Sequence, residues 1–296
     1  KMKEYEEDRI YKIKNYGYDK LKVLDKEEVK KEIGSPLYYG GILDYGAGHL
    51  HPLKYAIGLM DSAQSLGVRL YENSTVKRIN EDKDNVEVLL TAGKVNAKSM
   101  AICCNAYLEG FNMRFENRVM PCETYIVCTE NLNSSLQEQV LPNNYCVTDT
   151  NFDLNYYRLS ASKRMIFGGA VGYSLKNVEG LKKRTKRQLD KVFPQLSSLK
   201  IDYIWGGLIA LTMNRVPDIG MESEKIFYAQ GFSGHGVGLT GMAGKILAES
   251  IVNGRTAEIE LFEKVKHRKF PGGRLFRMPL LVTISAMQRM ADIFNV

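Results

Sequence analysis

The feature that most constrains the fold is a cluster of five glycines between Gly231 and Gly241. The cluster follows a strand-like run at 225–229 and leads into apolar residues at helical spacing, which predict a helix from about Gly241 to Ile251. Glycines at a strand-to-helix turn leave the backbone N–H groups of the helix start accessible, and these groups can hold an electron-rich oxygen. The sequence therefore predicts a ligand-binding turn, with a loop that is only closely packed as the alternative.

Two segments approach the dinucleotide-binding pattern G-x-G-x-x-G. Residues 236–241 match it letter for letter, but the second buried strand that should follow is replaced by a charged stretch. Gly46 and Gly48 lie between a strand-like run and a predicted helix, but a histidine–proline pair takes the position of the third glycine. Neither segment is a complete dinucleotide fingerprint.

Helical and strand-like patterns alternate along the chain. Asp25 and Glu28 predict a capping box for a short helix that ends at Lys31, and longer helices are predicted over 52–65 and 178–192. Strands are predicted at 41–45, 68–71, 76–79, 86–90, 94–95, 99–104, 125–129, 145–148, 156–159, 165–168 and 225–229. The mixture predicts an α/β (α+β) fold with an antiparallel sheet in its middle part.

Composition excludes several classes of protein. Of the 296 residues, 44% are hydrophobic and 25% are charged, as in soluble globular proteins with one large domain or two. The longest apolar run, 278–287, is too short to span a membrane. The five cysteines lack metal-ligand spacing, so we expect reduced thiols in a cytoplasmic protein and no metal site. Because the first residue is Lys1, one interpretation is that the chain begins inside a longer protein.

The formal net charge of +7 includes basic clusters at 182–187 and 264–269. Such clusters can attract nucleic acid, which makes a basic nucleic-acid-binding protein one hypothesis. Interleaved acidic residues and the absence of a nucleic-acid-binding motif favour solvated helix faces instead.

Many short segments, in order from about Asp25 onward, resemble the D-amino-acid oxidase (DAO) superfamily of FAD-dependent oxidoreductases. They are GGILD (40–44), GHLHPL (48–53), NAYL (105–108), MPC (120–122), YYRL (156–159), IFGG (166–169), FPQL (193–196), QGFSGHGV (230–237) and PGG (271–273). Within the superfamily the likeness is greatest to the branch of gamma-glutamylputrescine oxidoreductases.

The resemblance implies a partial FAD-binding Rossmann-like domain interleaved with an antiparallel-sheet substrate domain. Five segments are expected: a linker and substrate-domain segment at 1–48, an FAD-domain segment at 49–110, the substrate domain at 111–204, a second FAD-domain segment at 205–260 and a helical tail at 261–296. The implied cofactor is FAD, and the implied reaction is the oxidation of an amine or amino-acid C–N bond, with a gamma-glutamylputrescine-like small molecule as substrate.

The resemblance also implies site residues. The expected cofactor contacts are Val76, Cys104, Asn105, Ala106, Gly207, Gly231, Ser233, Gly234, His235, Gly236, Val237 and Gly238. His49, His51 and His235 are predicted catalytic residues, because imidazole titrates near neutral pH, with structural hydrogen bonding as the alternative.

The expected substrate contacts are Tyr157, Arg158 and Trp205. Arg158 would pair with a substrate carboxylate, for which the fork of the guanidinium is well suited. A surface arginine and a core tryptophan are the alternatives.

Two departures from the family pattern bear on function. The strand–turn–helix that carries the family's glycine fingerprint would precede Lys1, and Cys103 and Cys104 replace the usual small residue and glycine. One hypothesis is an enzyme portion that is completed by an N-terminal FAD-binding segment or a separate chain. The competing hypothesis is a non-catalytic remnant or subunit of such a flavoenzyme.

Overall fold

The computed structural model describes residues 2–108, 110–111, 113–151, 154–172 and 178–271. The chain divides into two compact units. Among the described residues, unit one contains those within 2–50 and 124–207, and unit two contains those within 51–123 and 208–271. The apolar run at 278–287, the glycines of the PGG segment and the predicted tail beyond residue 271 lie outside the described residues.

Unit one contains helices, the two-stranded sheet β1–β2 and most of a five-stranded sheet. Its described helices are α1 (Met2–Tyr16), α2 (Lys26–Glu32), α4 (Ser134–Val140), α5 (Val178–Val192) and a 3₁₀ turn (Pro194–Leu196). Its described strands are β1 (Leu21–Leu24), β2 (Gly41–Asp44), β7 (Met120–Asn131), β8 (Val147–Thr148), β9 (Tyr156–Leu159), β10 (Arg164–Gly172) and β11 (Ile201–Leu211). Strands β7 and β11 have residues in both units.

A five-stranded sheet with the order β11–β7–β10–β9–β8 organises unit one. The pairs β8–β9 and β9–β10 are antiparallel, which confirms the prediction of an antiparallel sheet in this region. One face of the sheet packs against α5 and the 3₁₀ turn in an apolar core. Its fully buried members include Val127, Met165, Phe167, Leu189, Phe193 and Leu196.

Unit two combines helices with small sheets. Its described helices are α3 (Pro52–Ser65), α6 (Gly236–Asn253) and α7 (Ala257–Glu263), and its described 3₁₀ turns are Asn105–Tyr107 and Glu116–Arg118. Its described strands are β3 (Val76–Glu81), β4 (Val86–Leu90), β5 (Gly93–Ala97), β6 (Met100–Ile102), β12 (Asp218–Met221) and β13 (Ile226–Gln230).

Strands β12, β13 and β6 form a three-stranded sheet, and the glycine-rich turn follows β13, the central strand of this sheet. Strand β13 pairs antiparallel with β12 and parallel with β6, so that both edges of β13 are satisfied. Helix α6 packs on β13 through Ala243, Ile246 and Leu247. The antiparallel sheet β3–β4–β5 packs through Val86 and Val88 into a second apolar cluster.

Several predicted elements are confirmed. The capping box forms in both directions, with 2.9 Å from Glu28 N to Asp25 Oδ1 and 3.0 Å from Asp25 N to Glu28 Oε2. Helices α3 and α5 have the predicted bounds. The mixed fold class is likewise confirmed, since helices alternate with antiparallel sheets.

Two predicted elements are wrong. Residues 68–71 form no strand, because no described strand pairs with them and an isolated strand leaves its backbone groups unpaired. Helix α6 begins at Gly236 and not near Gly241, because the glycines after His235 already adopt helical geometry.

Among the described residues, no helix is both long enough and apolar enough to cross a membrane. The predicted five-segment division of the chain stays a prediction.

Candidate functional site

The glycine cluster forms a turn of left-handed backbone between β13 and α6. Gly231, Ser233 and Gly234 have φ angles of +73°, +52° and +94°. Glycine adopts such angles without the steric penalty that a Cβ brings, whereas Ser233 is an uncommon residue in this region of backbone space. The turn delivers the chain directly to His235, which is the N-cap residue of α6.

Hydrogen bonds to residues elsewhere in unit two hold this turn. The N–H of Gly231 donates to Asn105 Oδ1 at 2.9 Å, and the N–H of Ser233 donates to the carbonyl of Ala210 at 2.9 Å. The hydroxyl of Ser233 accepts from the N–H of Thr212 at 3.3 Å. A Cβ at Gly231 would overlap the Thr212 side chain, so glycine is required there by space as well as by angle.

The outer side of the turn is open. Apart from the adjoining residues and the backbone of α6, no described atom lies within 4 Å of the position that a Cβ would take at Gly234 or at Gly238. Val237 is 54% exposed. The N–H groups of Gly236 and Val237 precede the first intrahelical hydrogen bonds, which run from Gly238 and Leu239 to the carbonyl of His235. The turn therefore has room for a ligand beside two N–H groups that no described residue is shown to accept from.

A buried polar network lies directly beneath the turn, and no local pattern in the sequence predicts it. Asp218 accepts from Tyr228 Oη at 3.2 Å, from Arg118 Nη1 at 3.3 Å and from Gln230 Nε2 at 3.0 Å. His267 Nε2 lies 3.9 Å from the same carboxylate. Desolvation raises the pKa of Tyr228 and lowers the pKa of His267, so His267 is held neutral near neutral pH.

The 3₁₀ turn that begins at Asn105 meets the glycine turn. Asn105 itself has a φ of +49°, an angle that asparagine tolerates better than most residues. Ala106 is buried beside it, whereas Cys104 is exposed at the N-cap. Desolvation raises the pKa of the Cys104 thiol. Val76 is half-buried at the start of β3.

Two predicted site residues meet in unit one. His49 Nε2 lies 2.9 Å from the carbonyl oxygen of Asn144, and His49 Nδ1 lies 3.1 Å from Arg158 Nη1. Arg158 is half-buried on β9, while His49 is exposed.

The register of β9 separates the two neighbouring tyrosines. Tyr157 is 3% exposed, stacks on Phe167 with ring centroids 5.6 Å apart and meets the ring of Phe193 edge-on. Tyr156 shares the opposite face of the strand with Arg158, because successive side chains alternate. The role of Tyr157 as a substrate contact stays a prediction. Tyr156, and not Tyr157, shares the face of Arg158, as period-two alternation along β9 already indicates.

Tyr156 owes its position to a glycine on the neighbouring strand. It pairs with Gly168 of β10, and a Cβ at Gly168 would overlap the tyrosine ring. Burial raises the pKa of Tyr156, which keeps its hydroxyl protonated.

The remaining predicted site residues are His51, Trp205, Gly207 and His235. Trp205 is 46% exposed on β11, and no described atom lies within 4 Å of the position that a Cβ would take at Gly207. His51 is the N-cap of α3 and accepts from Lys54 N at 3.4 Å, while His235 makes no side-chain capping bond. The roles assigned to all of these residues stay predictions. Within the described part of the chain, no three His, Cys, Asp or Glu residues form a group able to hold a metal ion.

Comparison with known proteins gives consistent matches. The family model described as FAD dependent oxidoreductase (DAO) matches residues 2–250. The chain is 38% identical to gamma-glutamylputrescine oxidoreductase of Escherichia coli (strain K12), over 94% of this chain and 65% of that protein. It therefore spans somewhat less than two thirds of that relative.

Solved structures show the same fold. L-proline dehydrogenase from P. horikoshii superposes with a TM-score of 0.74 at 21% identity, over 86% of this chain and 71% of the other. Glycine oxidase from Geobacillus kaustophilus superposes with a TM-score of 0.73 at 20% identity, over 90% of this chain and 73% of the other.

Proposed function

The chain belongs to the DAO family of FAD dependent oxidoreductases, and we propose that it forms part of an enzyme that oxidises a C–N bond of an amine or amino acid. The substrate class we propose is an amine that carries a gamma-glutamyl group, as in gamma-glutamylputrescine. The relative at 38% identity supports this choice. The observation that carries the proposal is the open turn between β13 and α6.

The residues of the turn fit a flat, electron-rich ring system. Gly234 and Gly238 leave space on the outer side, and Gly236 and Val237 offer N–H groups at the positive end of the α6 dipole. When bound, FAD supplies the acceptor for the hydride equivalent that leaves the carbon beside the amine. The N–H groups would stabilise negative charge at this position, because preorganised donors need no rearrangement during the reaction.

Asn105 and Ala106 are proposed to lie along the cofactor together with Val76, Cys104 and Gly207. Asn105 already ties its own turn to Gly231 through a hydrogen bond. Ala106 is small and buried, so that the backbone there is closely packed. We also propose that segments 49–110 and 205–260 form the cofactor domain and that segment 111–204 forms the substrate domain.

Arg158 is the proposed contact for the carboxylate of the gamma-glutamyl group. Its guanidinium lies on the face of β9 opposite the apolar core, and it shares that face with Tyr156. Arginine binds carboxylates through two parallel N–H donors, which fixes both the position and the orientation of the ligand. The amine must be neutral to release a hydride, and a desolvated pocket favours the neutral form. Trp205 would add apolar surface for the alkyl chain.

We propose further that a polypeptide segment outside this chain completes the cofactor domain. Helix α3 has no buried residue, and Leu53, Leu59 and Leu66 in and after it are 64%, 54% and 83% exposed. The strand-like run at 68–71 has no partner strand among the described residues. Exposed apolar helix faces and strand-like segments without a partner are typical of surfaces that another polypeptide covers.

The decisive experiment supplies that segment. The chain is co-purified with the portion of the Escherichia coli relative that it does not match, and the visible spectrum of the complex is recorded. Bound flavin and peroxide production that is faster with gamma-glutamylputrescine than with putrescine are the expected results. A colourless complex would contradict the proposal.

A pair of variants tests the turn within the same complex. Gly238→Leu fills the open side of the turn and is expected to abolish flavin binding. Gly244→Leu places the same side chain six residues further along α6, at a helical glycine that is equally open among the described residues, and is expected to retain flavin. Equal flavin content in both variants would argue against the turn as the cofactor site.

A non-catalytic subunit is the second candidate. The exposure of Cys104 beside Asn105, where a cofactor would approach, favours it. This candidate predicts that the completed complex forms but stays free of flavin. Peroxide production that depends on the amine would exclude it.

A further inference from the structure

We propose that His49 is a positioning residue, which holds the guanidinium of Arg158 ready for a carboxylate, and that it is not a general base. This inference rests on the proposed function only for the identity of the ligand. The pairing of His49 and Arg158 itself rests on two hydrogen bonds within unit one.

The two hydrogen bonds define the tautomer of His49. A carbonyl oxygen can only accept, so the 2.9 Å contact with Asn144 requires a proton on His49 Nε2. A guanidinium can only donate, so the 3.1 Å contact with Arg158 requires a lone pair on His49 Nδ1. Both contacts are satisfied together only by the neutral imidazole with its proton on Nε2. The lone pair that a general base needs is already engaged.

The carbonyl that orients His49 is itself held in place. Asn144 has a φ of +54°, and its N–H donates to the carbonyl of the buried Leu141 at 3.0 Å. Cys146 Sγ lies 3.8 Å from the carbonyl of Gly48, which ties the two segments together at a second point. The imidazole is therefore fixed from the side that faces away from Arg158.

The guanidinium of Arg158 is left available for a ligand. Its strand is anchored by Tyr157 and Leu159, which are buried in the core on either side of it. Within the described part of the chain, no carboxylate forms an ion pair with Arg158, and its one side-chain partner is a neutral imidazole. A guanidinium that is oriented but not neutralised keeps its remaining N–H donors for an anion, and bidentate carboxylate binding uses two of them.

This arrangement predicts a division of roles between the two residues. Arg158 contacts the carboxylate. His49 restricts the conformations of the Arg158 side chain before the ligand binds, so that less conformational entropy is lost on binding. Removing His49 should therefore weaken carboxylate binding without abolishing it. Removing the guanidinium should abolish binding.

The first test determines the tautomer directly. The full chain is labelled with ¹⁵N-histidine, and the signals of His49 are assigned by their loss in His49→Phe, since the chain contains four histidines in total. We expect the Nε2–H tautomer in the unchanged chain and a mixture of tautomers in Arg158→Gln. Arg187→Gln, an exposed arginine on α5 of the same unit, is the matched control and should leave the signals unchanged. A proton on Nδ1 in the unchanged chain would overturn the proposal.

The second test measures binding of glutarate, a dicarboxylate without an amine, by isothermal titration. His49→Phe is expected to weaken binding about 10-fold, which corresponds to about 1.4 kcal/mol. His49→Asn keeps an acceptor close to the position of Nδ1 and should restore affinity to within about 3-fold of the unchanged chain. Arg158→Gln should abolish binding.

The outcomes separate the two proposals. If Arg158→Gln abolishes binding but His49→Phe leaves it unchanged, the positioning role is overturned while the carboxylate contact of the proposed function stands. If glutarate binds equally well to Arg158→Gln and to the unchanged chain, Arg158 does not bind the carboxylate. The proposed positioning role of His49 is then overturned as well.

Discussion

Asn105 Oδ1 accepts a hydrogen bond from the backbone N–H of Gly231 at 2.9 Å, although the two residues are 126 positions apart in the sequence. The bond joins the 3₁₀ turn after β6 to the turn before α6. Both turns use left-handed backbone, with φ angles of +49° at Asn105 and +73° at Gly231. A single side chain thus joins two left-handed turns that the proposed cofactor would contact.

Asn105→Ala should destabilise the chain by about 1–3 kcal/mol, because the N–H of Gly231 loses its partner and alanine is disfavoured at a positive φ. Asn105→Asp keeps the acceptor and should cost less. Urea unfolding followed by circular dichroism measures both. The exposed Asn96→Ala on β5 serves as the control and should change stability by less than about 0.5 kcal/mol.

The glycines of the turn should differ in their tolerance of alanine. Gly231→Ala combines a positive φ with an overlap against Thr212 and should cost about 2–4 kcal/mol. Gly234→Ala has the positive φ but open space, so about 1–2 kcal/mol is expected. Gly238→Ala, inside α6 and open among the described residues, should be neutral or slightly stabilising. Thermal unfolding that ranks the three in another order would contradict this account of the turn.

Asp218→Ala should be among the most destabilising single changes in unit two. The carboxylate is 2% exposed and accepts from Arg118, Tyr228 and Gln230, so its removal leaves a partly buried guanidinium without its partner. Breaking such a pair costs about 3–5 kcal/mol, reduced here because Arg118 is 28% exposed. Glu249→Gln removes one member of an exposed pair on α6 and should change the free energy of unfolding by less than about 0.5 kcal/mol.

His267 should make the stability of the chain depend on pH. Desolvation lowers its pKa in the folded state below the ordinary value of 6.5, so the unfolded chain binds a proton more readily. Its contribution is therefore present above pH 6.5 and is lost as the pH falls from there through the lower folded pKa. His267→Gln should flatten this part of the pH profile, as measured by urea unfolding between pH 5 and 8 at intervals of about half a unit. An unchanged slope in the variant would mean that another group is responsible.

Local patterns predicted local structure well. The capping box at Asp25 and Glu28 and the bounds of α3 and α5 follow from interactions within a few residues, which a single sequence records. The family resemblance is confirmed by the match over residues 2–250.

Features that depend on distant partners were missed. Residues 68–71 have the composition of a strand, but a strand forms only beside a neighbour. The network around Asp218 joins residues about a hundred positions apart, and no local signal marks them. The position of Tyr156, in contrast, can be read from the sequence, because side chains alternate along β9 and place Tyr156 on the same face as Arg158.

The exposure of α3 has a consequence for the fate of this chain in a cell. A helix that shows leucine, isoleucine and methionine to water on all sides is recognised by chaperones and promotes aggregation. The amount of intact chain should therefore be higher when the proposed complementing segment is made alongside it than when the chain is made alone.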